Sequence, residues 1–257
     1  MILTLDVGNS NITLGAFEED KLYFVARLST DSAKTEDEFA IKFLQLLSLH
    51  DTERASISGV IVASVVPPLN DSIKKAVRTV FGTDALFVGP GIKSGIGILC
   101  DMPSSVGADI IAASVAVHNI YGSPSLIIDM GTATKMTVLN HKGAFIGTSI
   151  IPGVIMGLSA LSERTAQLPR ISLELPHSII AKNTADCMRS GVLYGNAAMV
   201  DGMIDRINEE FGEKLTVYAT GGMASTVIPL CRHNIITDEH LVLRGLNILY
   251  RKNRPAT

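Results

Sequence analysis

One short pattern occurs twice in this chain. An apolar run ends in Leu5-Asp6-Val7-Gly8-Asn9-Ser10-Asn11-Ile12-Thr13, and a second ends in Ile128-Asp129-Met130-Gly131-Thr132-Ala133-Thr134-Lys135-Met136-Thr137. Each places an acid at the end of a strand, a glycine two residues on, small polar residues next, and then another strand. An Asp-x-Gly at a hairpin is ordinarily a turn and nothing more. Its recurrence, once in each half and in matching contexts, constrains the chain to a duplicated domain. The element suits phosphate. Turn amides point outward, glycine lets a phosphate approach closely, and the acid can hold a hydrated cation on that phosphate.

The length of 257 residues fits one large domain or two of ordinary size. Apolar residues make up 47% and charged residues 18%, enough for a substantial core and against disorder. The formal charge of −3, with no Lys/Arg run, leaves no electrostatic footprint for nucleic acid. An anionic nucleotide is therefore expected to be held locally, by amides and a metal. Asp6 interrupts the first apolar run too early for a signal peptide, and the longest apolar stretch, Gly59–Val66, falls far short of a membrane span. Cys100, Cys187 and Cys231 are odd in number and widely separated, as expected of reduced thiols in a cytoplasmic protein.

Residues 2–6, 12–17 and 22–28 read as three meandering strands, with Glu18-Glu19-Asp20-Lys21 as one turn. Thr35-Glu36-Asp37-Glu38 opens a helix with a cap and first-turn acids, carrying Phe39, Phe43, Leu46 and Leu47 on one face. Gly59–Val66 suits a strand buried on both faces. Asn70 is expected to cap a helix through about Phe81, and 85–88 to be a strand. The Gly/Pro/Ser-rich loop 89–106 is long enough to suggest function, and a helix 107–120 follows. Ser123-Pro124 marks a boundary between domains 1–122 and 123–257. The second half repeats the opening with strands 125–129, 134–139 and 144–149. A helix 154–162 follows, then an irregular stretch 163–182 and a long helix capped by Asn183 that reaches about Phe211. A strand 215–219, a helix, a short strand near 235–236 and a helix 239–250 complete the chain. Three meandering strands followed by alternating helices and strands, given twice, is an α/β layout. It matches two duplicated ribonuclease-H-like (actin-like ATPase) domains with mixed sheets and a nucleotide cleft between them, an assignment made partly by analogy.

Phosphoryl transfer needs donors and a metal on the polyphosphate, one base for the acceptor proton, and in-line geometry. Asp6 is the natural metal-side carboxylate, and Gly8, Asn9, Ser10, Asn11 and Thr13 supply amides and hydroxyls. Asp129 with Thr132, Ala133 and Thr134 forms the partner loop. Lys135, on the outgoing strand, either points elsewhere or substitutes for a bound cation. Asp109, in the first turn of the helix after the long loop, is either a dipole-stabilising cap or an orienting acceptor and weak base for a hydroxyl. Thr220-Gly221-Gly222 is either an adenosine-side turn or an ordinary strand-to-helix turn. Gly191, Gly195 and Ala198 lie on one face of the long helix. They allow close helix approach, within the domain more readily than at a dimer seam. The six His show no ligand spacing.

Taken together, Asp6-Val7-Gly8-Asn9-Ser10-Asn11, Lys34-Thr35-Glu36-Asp37-Glu38-Phe39, Ser64-Val65-Val66-Pro67-Pro68, Gly89-Pro90-Gly91 and Gly107-Ala108-Asp109 resemble the type III pantothenate kinases. So do Ile128-Asp129-Met130-Gly131-Thr132-Ala133-Thr134, Pro152-Gly153, Asn183-Thr184, Ser190-Gly191, Ala219-Thr220-Gly221-Gly222 and Arg244-Gly245-Leu246, in order and nearly end to end. The resemblance implies ATP-dependent phosphorylation of pantothenate to 4′-phosphopantothenate, the first step of coenzyme A synthesis. It also implies a homodimer, magnesium with ATP, and a monovalent cation, potassium or ammonium. Carried onto this chain, Asp6, Val7, Gly8, Asn9, Ser10, Asn11, Ile12, Thr13 and Thr132 line ATP, with Asp6 meeting its magnesium. Asp129 holds the monovalent cation. Asp109 is the base, and Cys100, Gly107, Ala108, Ile110 and Thr184 lie on the pantothenate side.

Three positions depart from the family pattern: Ile110 stands where the family has Arg, Cys100 where it has Tyr, and Lys135 where it has Thr. Loss of Arg and Tyr removes charge-assisted hydrogen bonds of roughly 1.5–3 kcal/mol each. That equals about one to two orders of magnitude in affinity per contact if nothing compensates. These departures leave two alternatives beside the pantothenate kinase: a kinase for a related acceptor, or a catalytically degenerate nucleotide-binding regulatory paralog.

Overall fold

The chain opens with an antiparallel meander, and its hairpins fix the rest. In the computed structural model, which describes residues 1–254, β1 (Ile2–Val7), β2 (Asn11–Glu18) and β3 (Lys21–Ser29) pair in sequence. β4 (Gly59–Ser64) and β5 (Leu86–Phe87) add in parallel on the other side of β1, giving the order β3-β2-β1-β4-β5. The crossovers carry α1 (Glu36–Leu49) and α2 (Asn70–Phe81), and α3 (Ala108–Ile120) follows the long loop. α1 starts on a capping box, Thr35 with Glu38, as its sequence promises. α2 does not start as expected. Pro67-Pro68 build a 3₁₀ turn over Pro67–Leu69, Leu69 takes the cap position without a side-chain bond, and Asn70 is already helical.

Alternation along β1 sends Leu3, Leu5 and Val7 into a core with Val60 and Val62 of β4, Phe39, Phe43 and Leu47 of α1, and Ile73 and Val77 of α2. Thr4 and Asp6 occupy the opposite face. There the buried Thr4 hydroxyl donates to the Gly15 carbonyl at 3.0 Å. β4 is buried on both faces, as its unbroken apolar run requires.

The second half repeats this plan. β6 (Ser125–Met130), β7 (Ala133–Leu139) and β8 (Phe145–Pro152) form the meander, and β9 (Thr216–Thr220) and β10 (Ile235–Thr237) add in parallel, in the order β10-β9-β6-β7-β8. Strand for strand this is the first sheet again. Even the register irregularities correspond, falling between Ala16 and Phe17 in one copy and between Val138 and Leu139 in the other. Between β8 and β9 lie α4 (Val154–Glu163) and α5 (Thr184–Phe211), and α6 (Ala224–Val227) is a single turn. Leu126, Ile128 and Met130 of β6 pack with Met188, Val192, Leu193, Val200 and Ile204 of α5.

Two units result: Met1–Gly122 with the segment from His240 onward, and Ser123–Glu239. The last helix, α7 (Leu241–Asn253), assigned on sequence to a second domain of 123–257, packs instead in unit 1. Its place in the chain matches that of α3, yet it lies against α3 and β1 and buries Leu241, Leu243, Leu246 and Leu249. Gly245 makes this possible, since it meets the Ala112 backbone so closely that a Cβ has no room.

Candidate active site

In unit 1 the first acidic turn is built from below. Val7 and Ile12 are fully buried in the core, so their side chains anchor the turn and face away from its surface. Gly8 N–H donates to the Asn11 carbonyl at 3.0 Å and closes the turn. Thr30, at the end of β3, holds it from the side. Its N–H donates to the Ser10 carbonyl at 3.0 Å and its hydroxyl to the Gly8 carbonyl at 2.6 Å. Asn9, Ser10 and Asn11 are left at the surface. Asp6 pairs across β2 with Thr13 and across β4 with Ala63. Thr30 went unnoticed in the sequence, because only the pairing of Asn11 with Ser29 brings it to the turn.

The loop from 89 to 106 is tied to α7 near its start. Asn253 of α7 accepts the Lys93 N–H at 2.9 Å and donates to the Lys93 carbonyl at 3.0 Å, while Lys252 reaches the Ser94 carbonyl and Asn119. A 3₁₀ turn over Pro103–Ser105 leads into α3. The loop and the start of α3 enclose a cavity of about 320 Å³, lined by Gly89, Pro90, Ile98, Pro103, Val106 and Ile111. That is the size of a small-ligand site. Asp109 sits in the first turn of α3. Its carboxylate accepts the Ile110 N–H at 2.9 Å and folds back over Gly107, where a Cβ would lie 2.5 Å from the carboxylate oxygen. Of the residues expected on the acceptor side, Cys100, Gly107, Asp109 and Ile110 are partly exposed here. Ala108 turns its methyl into the interior and offers only backbone.

In unit 2 the second acidic turn is tighter. Gly131 N–H donates to the Ala133 carbonyl at 3.2 Å. Gly153 opens α4 against this turn, with room for no Cβ beside the Gly131 and Thr132 carbonyls. Thr134, expected to offer a hydroxyl, is buried on the face that carries Met130 and Met136, and its hydroxyl has no partner. Thr220 is buried and pairs with Asp129, and Gly221 (φ +94°) passes so close that a Cβ would lie 2.7 Å from the Asp129 carboxylate. The glycine at 221 is therefore required by the backbone, while Gly222 faces open space. Lys135 points at the acid: its Nζ lies 2.6 Å from Asp129 Oδ2, both side chains mostly buried. Thr184 is exposed at the first position of α5, beside the Asn183 cap.

The small-residue face of α5 was expected to receive a neighbouring helix of its own domain. Gly191, Gly195 and Ala198 are instead exposed, with nothing within 4 Å of where a Cβ would stand at either glycine. The buried face is the one through Val192, Ala197 and Val200. A larger cavity of about 480 Å³ in unit 2, lined by Ile204, Asp205, Asn208, Lys214, Val217 and His233, includes no acidic turn and no expected site residue. Size alone does not make it the site.

Among the described residues no three His, Cys, Asp or Glu side chains group as a metal-binding set. Asp6, one carboxylate beside an exposed polar turn, fits a magnesium ion that arrives on ATP, since such an ion needs only one or two carboxylates besides phosphate and water. Asp129 does not fit a monovalent cation in the same way, because the Lys135 ammonium already stands on its carboxylate.

Paired five-stranded sheets of one topology, each closing its first strand with an acid and a glycine turn, define the actin-like ATPase and sugar-kinase fold. Solved structures agree. A putative 2-dehydro-3-deoxygalactonokinase from Sinorhizobium meliloti superposes with a TM-score of 0.63 at 12% identity, covering 100% of this chain and 98% of its own. A putative Baf family transcriptional activator from Campylobacter jejuni gives 0.62 at 18%, covering 98% of each chain. The activator of 2-hydroxyisocaproyl-CoA dehydratase from Clostridium difficile, with bound ADPNP, gives 0.55 at 13%, covering 98% and 94%. At these identities the likeness is one of fold. Sequence narrows it further: the family model described as type III pantothenate kinase matches residues 2–206. A type III pantothenate kinase of Bacillus cytotoxicus is 43% identical over 253 residues, covering 98% of this chain and 97% of that one. The chain belongs to the type III pantothenate kinase family. Among the described residues no helix is long and apolar enough to cross a membrane.

Proposed function

We propose that the protein phosphorylates pantothenate with ATP, giving 4′-phosphopantothenate and ADP in the first step of coenzyme A biosynthesis, in the cytoplasm. The observation that carries this is 43% identity along nearly the whole length of a type III pantothenate kinase, in a chain that has Asp6, Asp109 and Asp129 in the motifs that resemble that family. Asp6 with Gly8, Asn9, Ser10, Asn11 and Thr13, and the turn from Gly131 to Thr132, bind the ATP phosphates. Asp6 would hold the magnesium ion that ATP carries, and that ion would offset the charge developing on the phosphates. Asp109 accepts the proton of the pantothenate hydroxyl as that oxygen bonds to the γ-phosphorus. The bond from phosphorus to the β–γ bridging oxygen breaks, and ADP leaves. The cavity beside α3 takes part of the acceptor, and Cys100, Ile110 and Thr184 are assigned to acceptor binding by the family resemblance.

Ile110 favours a weaker grip on the acceptor carboxylate, so the assay includes pantetheine, which carries the same hydroxyl without that charge. Release of ADP, measured by a coupled assay with and without each acceptor, tests the reading. No acceptor-dependent ADP refutes it, and full turnover in Asp109→Asn refutes the base. We further propose a homodimer. The exposed Gly191, Gly195 and Ala198 leave α5 open to close approach, and Ile150, Ile155 and Met156 are exposed apolar residues on the same unit. A monomer mass by light scattering at micromolar concentration refutes it.

A further inference from the structure

We propose that Lys135 is a tethered cation: its ammonium occupies, at the Asp129 carboxylate, the place that a dissolved potassium or ammonium ion would take, and the nucleotide turn of unit 2 therefore works without added monovalent salt. The inference rests on the ATP-dependent kinase reading above.

The duplication supplies the comparison. The two sheets share one topology, and in each the acid next to last in the first strand pairs with one residue across the hairpin. In unit 1 that residue is Thr13, a neutral hydroxyl; in unit 2 it is Lys135. The strand accepts either, so the pairing geometry does not call for a lysine. The charge is what differs. Asp6 has the neutral Thr13 across the hairpin, and its carboxylate suits a divalent ion carried on phosphate. Asp129 faces a fixed positive charge 2.6 Å away, at a site where the two side chains are only 16% and 19% exposed.

Burial decides what such a charge can do. A surface pair such as Lys75 with Asp71, whose side chains are 55% and 78% exposed, is screened by water and contributes little. The Asp129 carboxylate is pressed between Lys135 and the Gly221 backbone, where an unanswered negative charge is strongly unfavourable. One positive charge satisfies it. A dissolved ion and the ammonium carry the same charge and compete for the same oxygen, and the covalently held one wins by its effective concentration.

The test has two readouts: binding of ADP–magnesium by calorimetry, and pantothenate-dependent ADP release. Each is run in potassium, ammonium and tetramethylammonium chloride at equal ionic strength, the last cation being too large for the site. The natural protein is expected to give the same affinity and rate in all three. Lys135→Thr is expected to lose about tenfold or more in tetramethylammonium, the effect of one charge-assisted contact, and to recover in potassium or ammonium. Lys135→Arg is expected to stay indifferent to salt, whatever its rate. Potassium stimulation of the natural protein overturns the proposal. So does a Lys135→Thr protein that matches the natural one in tetramethylammonium, or one with native circular dichroism that no salt rescues. If Lys135→Thr does not fold, the natural protein and Lys135→Arg decide. Absence of ADP release in every salt refutes the kinase reading alone, since the calorimetry still reads the cation question.

Discussion

Gly245→Ala is the sharpest test of how unit 1 is assembled. A methyl group there would lie 2.5 Å from the Ala112 carbonyl carbon of α3 and closer still to its oxygen, where ordinary contact begins at 3.4 Å. The obstacle is helix backbone, which cannot rotate aside, so α3 and α7 must part by about 1 Å or more. Overpacking of this kind costs about 1–3 kcal/mol and occasionally more, and the better helix propensity of alanine returns at most about 1 kcal/mol. The helices also lose close packing along α7, where Leu241, Leu243, Leu246 and Leu249 are buried. A net loss of about 1–2 kcal/mol is expected, which lowers the melting temperature by about 2–8 °C for a chain of this size.

The control is Gly59→Ala. Its methyl would come as close to Tyr250, also on α7, but there it meets the hydroxyl end of a side chain, with the ring edge at 2.9 Å. That end can swing away, so the expected loss is under about 1 kcal/mol. Thermal unfolding by circular dichroism, with scanning calorimetry to separate the two units, measures both. Equal destabilisation of the two variants refutes the argument, because it would mean that proximity alone matters and the kind of atom met does not. A Gly245→Ala protein as stable as its parent refutes the packing itself.

Three further outcomes follow from the same geometry. Asn253→Ala removes both hydrogen bonds to Lys93, worth about 0.5–1.5 kcal/mol each; it should raise the pantothenate KM several-fold and leave the ATP KM unchanged in steady-state assays. Burial, with the Asp201 charge second, pushes the Cys231 thiol from 9.0 up to about 11, so its thiolate fraction at neutral pH is about a hundredfold below that of an ordinary thiol; mass spectrometry after brief alkylation should find the exposed Cys187 modified first and Cys231 last. The hydrogen bonds from Thr35 hold the Glu38 carboxyl below 4.5, and those from Asn183 and Arg189 hold Asp186 below 3.8, so both helix starts keep their full stabilisation at neutral pH and lose it as pH falls below those values; amide exchange at the first turns of α1 and α5 should accelerate there and stay flat from pH 6 to 8.

Local pattern carried most of the secondary structure. The acids at strand ends, the capping box at Thr35 and the Asn183 cap were legible because each depends on neighbours within a few residues. What escaped depends on partners far along the chain. α7 reads as the last helix of the second copy, and nothing local says that Gly245 will meet Ala112. Thr30 reaches the first turn only through the pairing of Asn11 with Ser29, and Asn253 reaches the long loop across 160 positions. The small-residue face of α5 was read as internal because spacing shows which side chains share a face and not which face is covered. The Lys135 contact was more accessible. A hairpin closed through Gly131 places residue 135 directly across from 129, and alternation then puts both side chains on one face.

Strand register also marks where the two copies part. Their sheets coincide strand for strand and irregularity for irregularity, so the scaffold does not decide which copy does which task. The differences lie in single side chains at equivalent places. Across from the acid stands Thr13 in one copy and Lys135 in the other, and beside it stands Ala63 in one and Thr220 in the other. The first copy sets its acid beside a small, polar turn with a neutral residue across the hairpin, the chemistry proposed above to receive a metal on phosphate. The second answers its own negative centre from within the chain, and its neighbouring glycine is fixed by backbone approach. If this division holds, exchanging the two partners should exchange the ionic requirements. Thr13→Lys should then weaken binding of magnesium–ADP relative to metal-free ADP, while Lys135→Thr should create a demand for monovalent salt. Failure of the Thr13→Lys protein to discriminate between the two forms of ADP would show that Asp6 is not the acid that meets the metal.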